Sequence, residues 1–186
     1  ISRQSGGATS TVTLLNTSAS TIVIQNDLVL NANTLLDAGT NTVNLTVGGN
    51  FTLIAASTYT PGNTSTNLNG AAAQLFSNNG TITSGMYNFT ISKTSGTATL
   101  AGTAAVFTVR NNLSINAGTL ADGGKILDVK GNVINSGTHS GLGKITLSGT
   151  STQTIGGSGN GIFQNIELNN TNATAAPISL LSNQTI

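Results

Sequence analysis

An internal repeat constrains this chain more than any other feature of its sequence. The segment 27–52, DLVLNANTLLDAGTNTVNLTVGGNFT, aligns with the segment 112–134, NLSINAGTLADGGKILDVKGNVI, when a three-residue deletion is allowed. Farther along, Leu68, Gly70 and Gln74 match Leu147, Gly149 and Gln153. The offset is 85 residues for Leu28 and Leu113 (113 − 28) and 77 for Phe89 and Ile166 (166 − 89). The repeating unit is therefore roughly 80 residues long, as in stacked repeat proteins.

Short segments of alternating apolar and polar residues predict strands along the whole chain. Sustained 3.6-residue apolar periodicity is absent, and residues of high helix propensity are rare. Glycine and asparagine pairs, which suit tight turns, separate the alternating segments. Six of the predicted strands are Thr11–Leu14, Thr21–Ile24, Asp27–Leu30, Val43–Val47, Phe89–Ile91 and Lys144–Leu147.

The pattern predicts an all-β chain, folded as a parallel β-helix with about four coils of ~20 residues in each unit. Inward aliphatic residues would form apolar columns, and outward Thr, Ser and Asn would pair in ladders. This arrangement explains why only 6% of residues are charged although aliphatic residues recur throughout. Tandem β-sandwich repeats are the alternative, because they also show short strands separated by turns.

The whole of 1–186 is interpreted as one continuous repeat array. Residues 1–26 are expected to end a preceding repeat, 27–106 form a divergent repeat, and 107–186 form a repeat that runs into the next. The divergent copy carries IAASTYTPGNTSTNLNG at 54–70, where the other copy has the compact NSGTHSGLG. An extra loop is expected at that place.

The segment LSINAGTLADGGKILDVKGNVINSGTHSGLGKITLSGTSTQTIGGSGNGIFQNIELNN resembles the recurring unit of very large secreted surface proteins of Bacteroidota. The clearest copy spans Phe107 to Asn170, and a more divergent one covers Ile24 to Gly96. This resemblance implies a β-helical stalk of a cell-surface adhesin or gliding-motility filament, exported by type IX secretion. It therefore also implies an extracellular location.

The ionisable residues suggest no catalytic or metal site, and no cofactor is expected. His139 lacks a second histidine or an acid nearby in sequence, so it is interpreted as a turn residue. Asp37 and Asp122 occupy equivalent repeat positions and predict Asx turns rather than calcium sites. Asp122 and Asp128 could form a glycosidase pair, but the turn interpretation is favoured. The glycine-rich stretch 156–161 lacks the lysine and following helix of a phosphate loop, which favours a turn.

Tyr59 is the one candidate for a ligand contact, because it precedes Pro61 in the divergent segment while the other aromatic residues fall at apolar strand positions. The expected function is a rigid, non-enzymatic stalk whose copies or adjoining repeats associate end to end. A carbohydrate-binding or ice-binding module is the alternative, with surface glycans as possible partners. Six scattered basic residues and a net charge of +1 argue against nucleic acid. No apolar run is long enough to span a membrane.

Overall fold

Strands occupy the segments in which apolar and polar residues alternate. The computed structural model describes residues 9–14, 20–39, 43–174 and 176–186, which contain 22 strands and no helix. The strands predicted at Val43–Val47 and Lys144–Leu147 have those same bounds. The all-β prediction is therefore confirmed, although the predicted repeat fragment 1–26 lies partly outside the described residues.

The strands lie on three faces that the chain visits in turn. The first face carries β1 (Ser10–Thr13), β4 (Thr34–Asp37), β7 (Thr58–Thr60), β10 (Thr81–Ile82), β12 (Val106–Val109), β14 (Ile126–Val129), β17 (Lys144–Leu147) and β20 (Ile166–Leu168). The second carries β2 (Ser20–Ile24), β5 (Val43–Val47), β8 (Ser65–Leu68), the first part of β11 (Asn88–Gly102), the first part of β13 (Leu113–Ala121), β15 (Val133–Asn135), β18 (Gln153–Gly156) and β21 (Ile178–Leu180). The third carries β3 (Leu28–Leu30), β6 (Phe51–Leu53), β9 (Gln74–Asn78), the remaining parts of β11 and β13, β16 (Thr138–Ser140), β19 (Gly161–Ile162) and β22 (Gln184–Thr185).

Every strand pairing among the described residues is parallel and joins one turn to the next. Phe89 of β11, for example, pairs with Thr66 of β8 below and with Leu113 of β13 above. Residues paired between strands of successive turns lie from 18 positions apart (Ile126 and Lys144) to 25 positions apart (Phe51 and Phe76) in the chain. The result is a parallel β-solenoid of about seven turns. This confirms the predicted β-helix and excludes tandem β-sandwiches, whose sheets are antiparallel.

The core is a continuous column of inward-facing side chains. Leu68, Ile91 and Ile115 stack in register on the second face and are completely buried. Aromatic rings fill the wider part of the column, where Phe76 lies 5.0 Å from Phe51 and 5.3 Å from Phe107, centroid to centroid. Burial of apolar side chains along the whole column supplies the main stabilising free energy.

A buried glutamine closes an equivalent corner in each copy of the repeat. Gln74 accepts a hydrogen bond from Gly70 N at 2.8 Å, and its amide nitrogen donates to Val47 O (2.9 Å) and Gly49 O (2.6 Å) in the preceding turn. Gln153 makes the matching three bonds in the second copy. The sequence match between the copies therefore reflects one corner structure built twice.

The two corners lie on different edges of the solenoid. Gln74 lies where β8 of the second face passes to β9 of the third, whereas Gln153 lies where β17 of the first face passes to β18 of the second. One repeat thus ends one face short of four full turns. The expectation of about four coils for each unit is close. Because each unit is one face short of four turns, features shared by the two copies lie on different edges of the solenoid.

Polar side chains also link each corner to the following turn. Asn112 Oδ1 accepts a hydrogen bond from Asn132 N at 2.9 Å, and Asn132 Oδ1 accepts one from Thr154 N at 2.8 Å. Lys93, which is buried, donates to Gln74 Oε1 at 2.8 Å and to two carbonyl groups of the same corner. This burial lowers the pKa of Lys93. Hydrogen bonds that run along the axis therefore tie the corners together as well as the strands.

Candidate functional site

Tyr59, the predicted ligand contact, lies in the core. It occupies the inward position of β7, its ring is 5.4 Å from that of Phe51, and its hydroxyl bonds Thr66 Oγ1 at 2.9 Å. Burial raises its pKa to about 12, and the bond to Thr66 only partly opposes that rise. Residues 54–70 form β7 and β8 rather than an extra loop, so the expected loop is absent and the side chain of Tyr59 has no exposed surface for a ligand.

His139 has an acidic partner, so its interpretation as an isolated turn histidine is wrong. It faces inward from β16, and its Nε2 lies 3.0 Å from Asp122 Oδ2, with both side chains fully buried. Burial lowers the pKa of His139 and outweighs the opposing effect of the Asp122 carboxylate. The two residues are 17 positions apart and meet because Leu120 of β13 pairs with His139. The local sequence carries no signal of this contact, which depends on the length of a turn.

The aspartates at equivalent repeat positions form the predicted Asx turns. Asp37 Oδ1 accepts a hydrogen bond from Gly39 N at 2.7 Å, and Asp122 Oδ1 accepts one from Gly124 N at 2.7 Å. Asp128 instead points outward from β14 and pairs with Lys130 Nζ at 2.9 Å. Asp122 is buried and Asp128 is on the surface, so they do not face a common site as a glycosidase pair would.

The glycine-rich stretch 156–161 connects two strands, in agreement with the predicted turn. It runs from the end of β18 to the start of β19, and Gly159 has a φ of 89°. No group of three or more His, Cys, Asp or Glu side chains able to hold a metal occurs in the part of the chain that the structure describes. Within the same part, no helix has the length and apolar character needed to cross a membrane.

A break in the first face opens a cleft that the sequence analysis did not identify. β10 pairs with β7 below it, β12 pairs with β14 above it, and β10 and β12 do not pair with each other. Two successive left-handed residues, Ser84 (φ 61°) and Gly85 (φ 82°), follow shortly after the end of β10. Only Met86 regains contact with β12, through a bridge to Val109. Left-handed backbone at a serine is costly, so the break is a specified feature of the fold.

The cleft has a volume of about 280 Å³ and lies between two unpaired strand edges. Ala105 O bonds Ile126 N at 3.0 Å on the upper side of β12, so strand alternation turns the N–H and C=O of Val106 down into the cleft. Thr81 N and Thr83 N bond the turn below, so the peptide groups of Ile82 point up towards the same space, where the C=O accepts a hydrogen bond from Gly85 N at 3.3 Å. Hydrogen-bonding groups of two strands thus face each other without pairing.

Asn78 forms one wall of the cleft at the corner between the third and first faces. It is 8% exposed, and its Oδ1 is buried without a hydrogen-bond partner. Leu53 pairs with Asn78 in the turn below, so a leucine stands at the equivalent inward place there. A buried amide in a position suited to leucine costs free energy unless something binds it. A polar residue at an inward strand position is the one sequence signal that could have indicated this site.

The comparisons with known proteins identify no relative. No protein-family model, curated protein or solved structure matches the chain.

Proposed function

We propose that this chain is a structural stalk segment of a surface filament or adhesin, which holds adhesive regions away from the cell. The observation that carries the proposal is the hydrogen bonding along the solenoid axis, which is unbroken on the second and third faces. Strand pairs join each turn to the next, and corner side chains such as Gln74, Asn132 and Lys93 add bonds in the same direction. A rod bonded along its length in this way resists bending and pulling.

The exterior is suited to a passive rod because few charges reach it. Lys93, Lys125 and Asp122 are buried, which leaves still less exposed charge than the 6% of charged residues in the sequence. Lys125, for example, donates to the carbonyls of Gly102 and Ala104 in the preceding turn. A surface of neutral Thr, Ser and Asn side chains offers little nonspecific ionic attraction to other molecules.

The geometry of the repeat supports the same proposal. Because each unit ends one face short of four turns, successive units in an array would place the glutamine corner on each of the three edges in rotation. Such an array has no preferred side, as expected for a rod that must be stiff in every direction. Exposed leucines at the end of β20 (Leu168) and at and just after the end of β21 (Leu180 and Leu181) could be covered by a further turn from an adjoining repeat or a second copy.

Location on the cell surface and export by type IX secretion belong to this proposal and rest on the resemblance of the repeat. Immunoelectron microscopy of intact source cells, with antibodies raised against this chain, tests both location and shape. We expect label along extracellular filaments and, in purified filaments, an axial strand repeat near ~4.8 Å. Label confined to the cell interior or to compact beads would overturn the stalk proposal. Antibody absorbed with the purified chain is the control.

Surface binding, including ice binding, is a second candidate because threonines align on the lower part of the first face. Threonine pairs occupy equivalent outward positions on three of the four strands there: Thr11 and Thr13 on β1, Thr58 and Thr60 on β7, and Thr81 and Thr83 on and just after β10. Leu35 and Asp37 interrupt the two columns on β4. Neutral hydroxyl arrays of this kind could contact a regular surface such as ice or a glycan layer.

Thermal hysteresis of the purified chain tests the ice-binding form of this candidate. Hysteresis that is lost in Thr60→Lys but kept in Ser114→Lys, on the second face, would support it. Equal behaviour of both variants, or no hysteresis in the original chain, would contradict it. Ser114 is a suitable control because it also faces outward from a strand.

A further inference from the structure

The cleft between β10 and β12 is bordered by hydrogen-bonding groups that the two strands do not pair with each other, and one of them, Asn78 Oδ1, is buried without a partner. The upward N–H of Ile82, the downward peptide groups of Val106 and the amide of Asn78 border it, while the C=O of Ile82 already accepts a bond from Gly85 N. Almost all buried polar groups in proteins have hydrogen-bond partners, and each exception calls for an explanation. A bound molecule that can both donate and accept would satisfy these groups.

The lining of the cleft indicates a neutral molecule. Thr81 and Thr108 add hydroxyl groups, and Phe107 adds the edge of the aromatic core. None of the described residues that line the cleft is charged. An ionic ligand would lose its hydration without gaining an opposite charge, which is costly. Hydroxyl groups can donate to and accept from peptide and amide groups, so a neutral molecule rich in hydroxyls matches the lining.

The shape of the cleft indicates a compact molecule rather than an inserted peptide strand. The bridge between Met86 and Val109 closes one end, so an extended chain could not run through between the two edges. Strand addition also needs a longer free edge than the two residues of β10 provide. A volume of about 280 Å³ is slightly below the ~300–1,000 Å³ of pockets for drug-sized ligands, so the space suits a single ring.

We propose that this cleft binds one neutral sugar residue, with the Asn78 amide and the facing edges of β10 and β12 as its hydrogen-bonding groups. The proposal goes beyond the stalk function, because it gives the segment a defined site for a glycan. It also differs from the predicted Tyr59 contact, because Tyr59 does not line the cleft.

Nuclear magnetic resonance titration of the ¹⁵N-labelled chain tests this proposal, with free glucose, galactose and N-acetylglucosamine as the probes. We expect at least one sugar to bind with a millimolar dissociation constant and to shift the amide signals of Ile82 and Val106. Asn78→Leu should weaken that binding at least tenfold. The same variant should raise the melting temperature, because leucine is the residue at the equivalent place in the turn below.

Asn67→Leu is the matched control, because Asn67 Oδ1 is also buried without a partner but lies on the second face, away from the cleft. Binding should be unchanged in that variant. The proposal is overturned if none of the three sugars shifts these amide signals when its concentration is 100 times a millimolar dissociation constant. It is also overturned if Asn78→Leu binds sugar as tightly as the original chain does. It is also overturned if Asn78→Leu lowers the melting temperature and no sugar binds, since the amide would then serve only to hold water.

Discussion

Replacing Gln153 with methionine should remove most of the bonding at one corner while keeping side-chain length. Gln153 accepts hydrogen bonds from Gly149 N at 2.8 Å and Asn170 Nδ2 at 2.7 Å, and it donates to the carbonyls of Val129 (3.1 Å) and Gly131. At roughly 1 kcal/mol for each of the four bonds, the free energy of unfolding should fall by about 4 kcal/mol. That is a large share of the ~5–15 kcal/mol typical of a folded domain.

Urea denaturation followed by far-ultraviolet circular dichroism measures this loss. Thr150→Ala is the control, because Thr150 is exposed in the same corner and its replacement should change the free energy by less than about 0.5 kcal/mol. Hydrogen exchange should show that the loss concentrates in the turns that carry β14, β17 and β20, since each turn of a solenoid contacts only its neighbours. A loss below about 1 kcal/mol for Gln153→Met would refute the assigned role of the corner.

Gln153→Glu adds a test that depends on pH. At neutral pH a carboxylate oxygen would face the carbonyls of Val129 and Gly131, which disfavours the charged form and raises the folded-state pKa above the ordinary glutamate value of about 4.3. Stability should therefore be greatest below that ordinary value and should be lost as pH rises through the folded-state pKa. If Gln153→Glu follows the same pH dependence as the original chain, the two carbonyls do not face this side chain.

Three further predictions concern buried groups. Folding lowers the pKa of His139, so the free energy of unfolding should fall as pH drops below the ordinary histidine value of about 6.5. The fall should be at most ~1.4 kcal/mol per pH unit and should level off below the folded-state pKa. Urea denaturation at several pH values should show a weaker pH dependence in His139→Gln. Tyr59→Phe should cost about 1 kcal/mol through loss of its hydroxyl bond, and spectrophotometric titration should show that the late tyrosine ionisation disappears. Gly141→Ala should lower the melting temperature strongly, because its new Cβ would clash with Asp122 Oδ1 and the residue has a φ of 119°. Gly159→Ala is the control, since its Cβ meets no described atom within 4 Å and only its φ of 89° disfavours alanine. Equal losses in the two variants would contradict the steric account.

Local features of the fold could be predicted because they depend on neighbouring residues. Alternation at Val43–Val47 and Lys144–Leu147 indicated strands that the structure contains with those bounds. The short polar side chains of Asp37 and Asp122 bond the backbone two residues on, as Asx turns require. Tyr59 also fits the alternation of a strand, since Thr58 and Thr60 flank it as outward residues. The divergent segment around Pro61 suggested a loop, which does not form.

Contacts between turns could not be predicted, because they depend on how many residues each turn contains. Asp122 meets His139 only in the register that pairs Leu120 with His139, and a turn one residue longer would move the histidine to the outer surface. The cleft at Asn78 likewise requires the strand above to separate from the strand below. No pattern within either strand records that separation.

The sequence by itself determined that this chain is an all-β stack of repeated coils with an almost uncharged exterior, because alternation, turn residues and composition act over a few neighbouring positions. Only the tertiary structure decided which edges the glutamine corners occupy, which aspartate His139 meets, and where the first face opens. Those outcomes depend on the register in which successive turns stack. That register is set by the number of residues at every corner and by left-handed residues such as Ser84 and Gly85, so it cannot be read from any short segment.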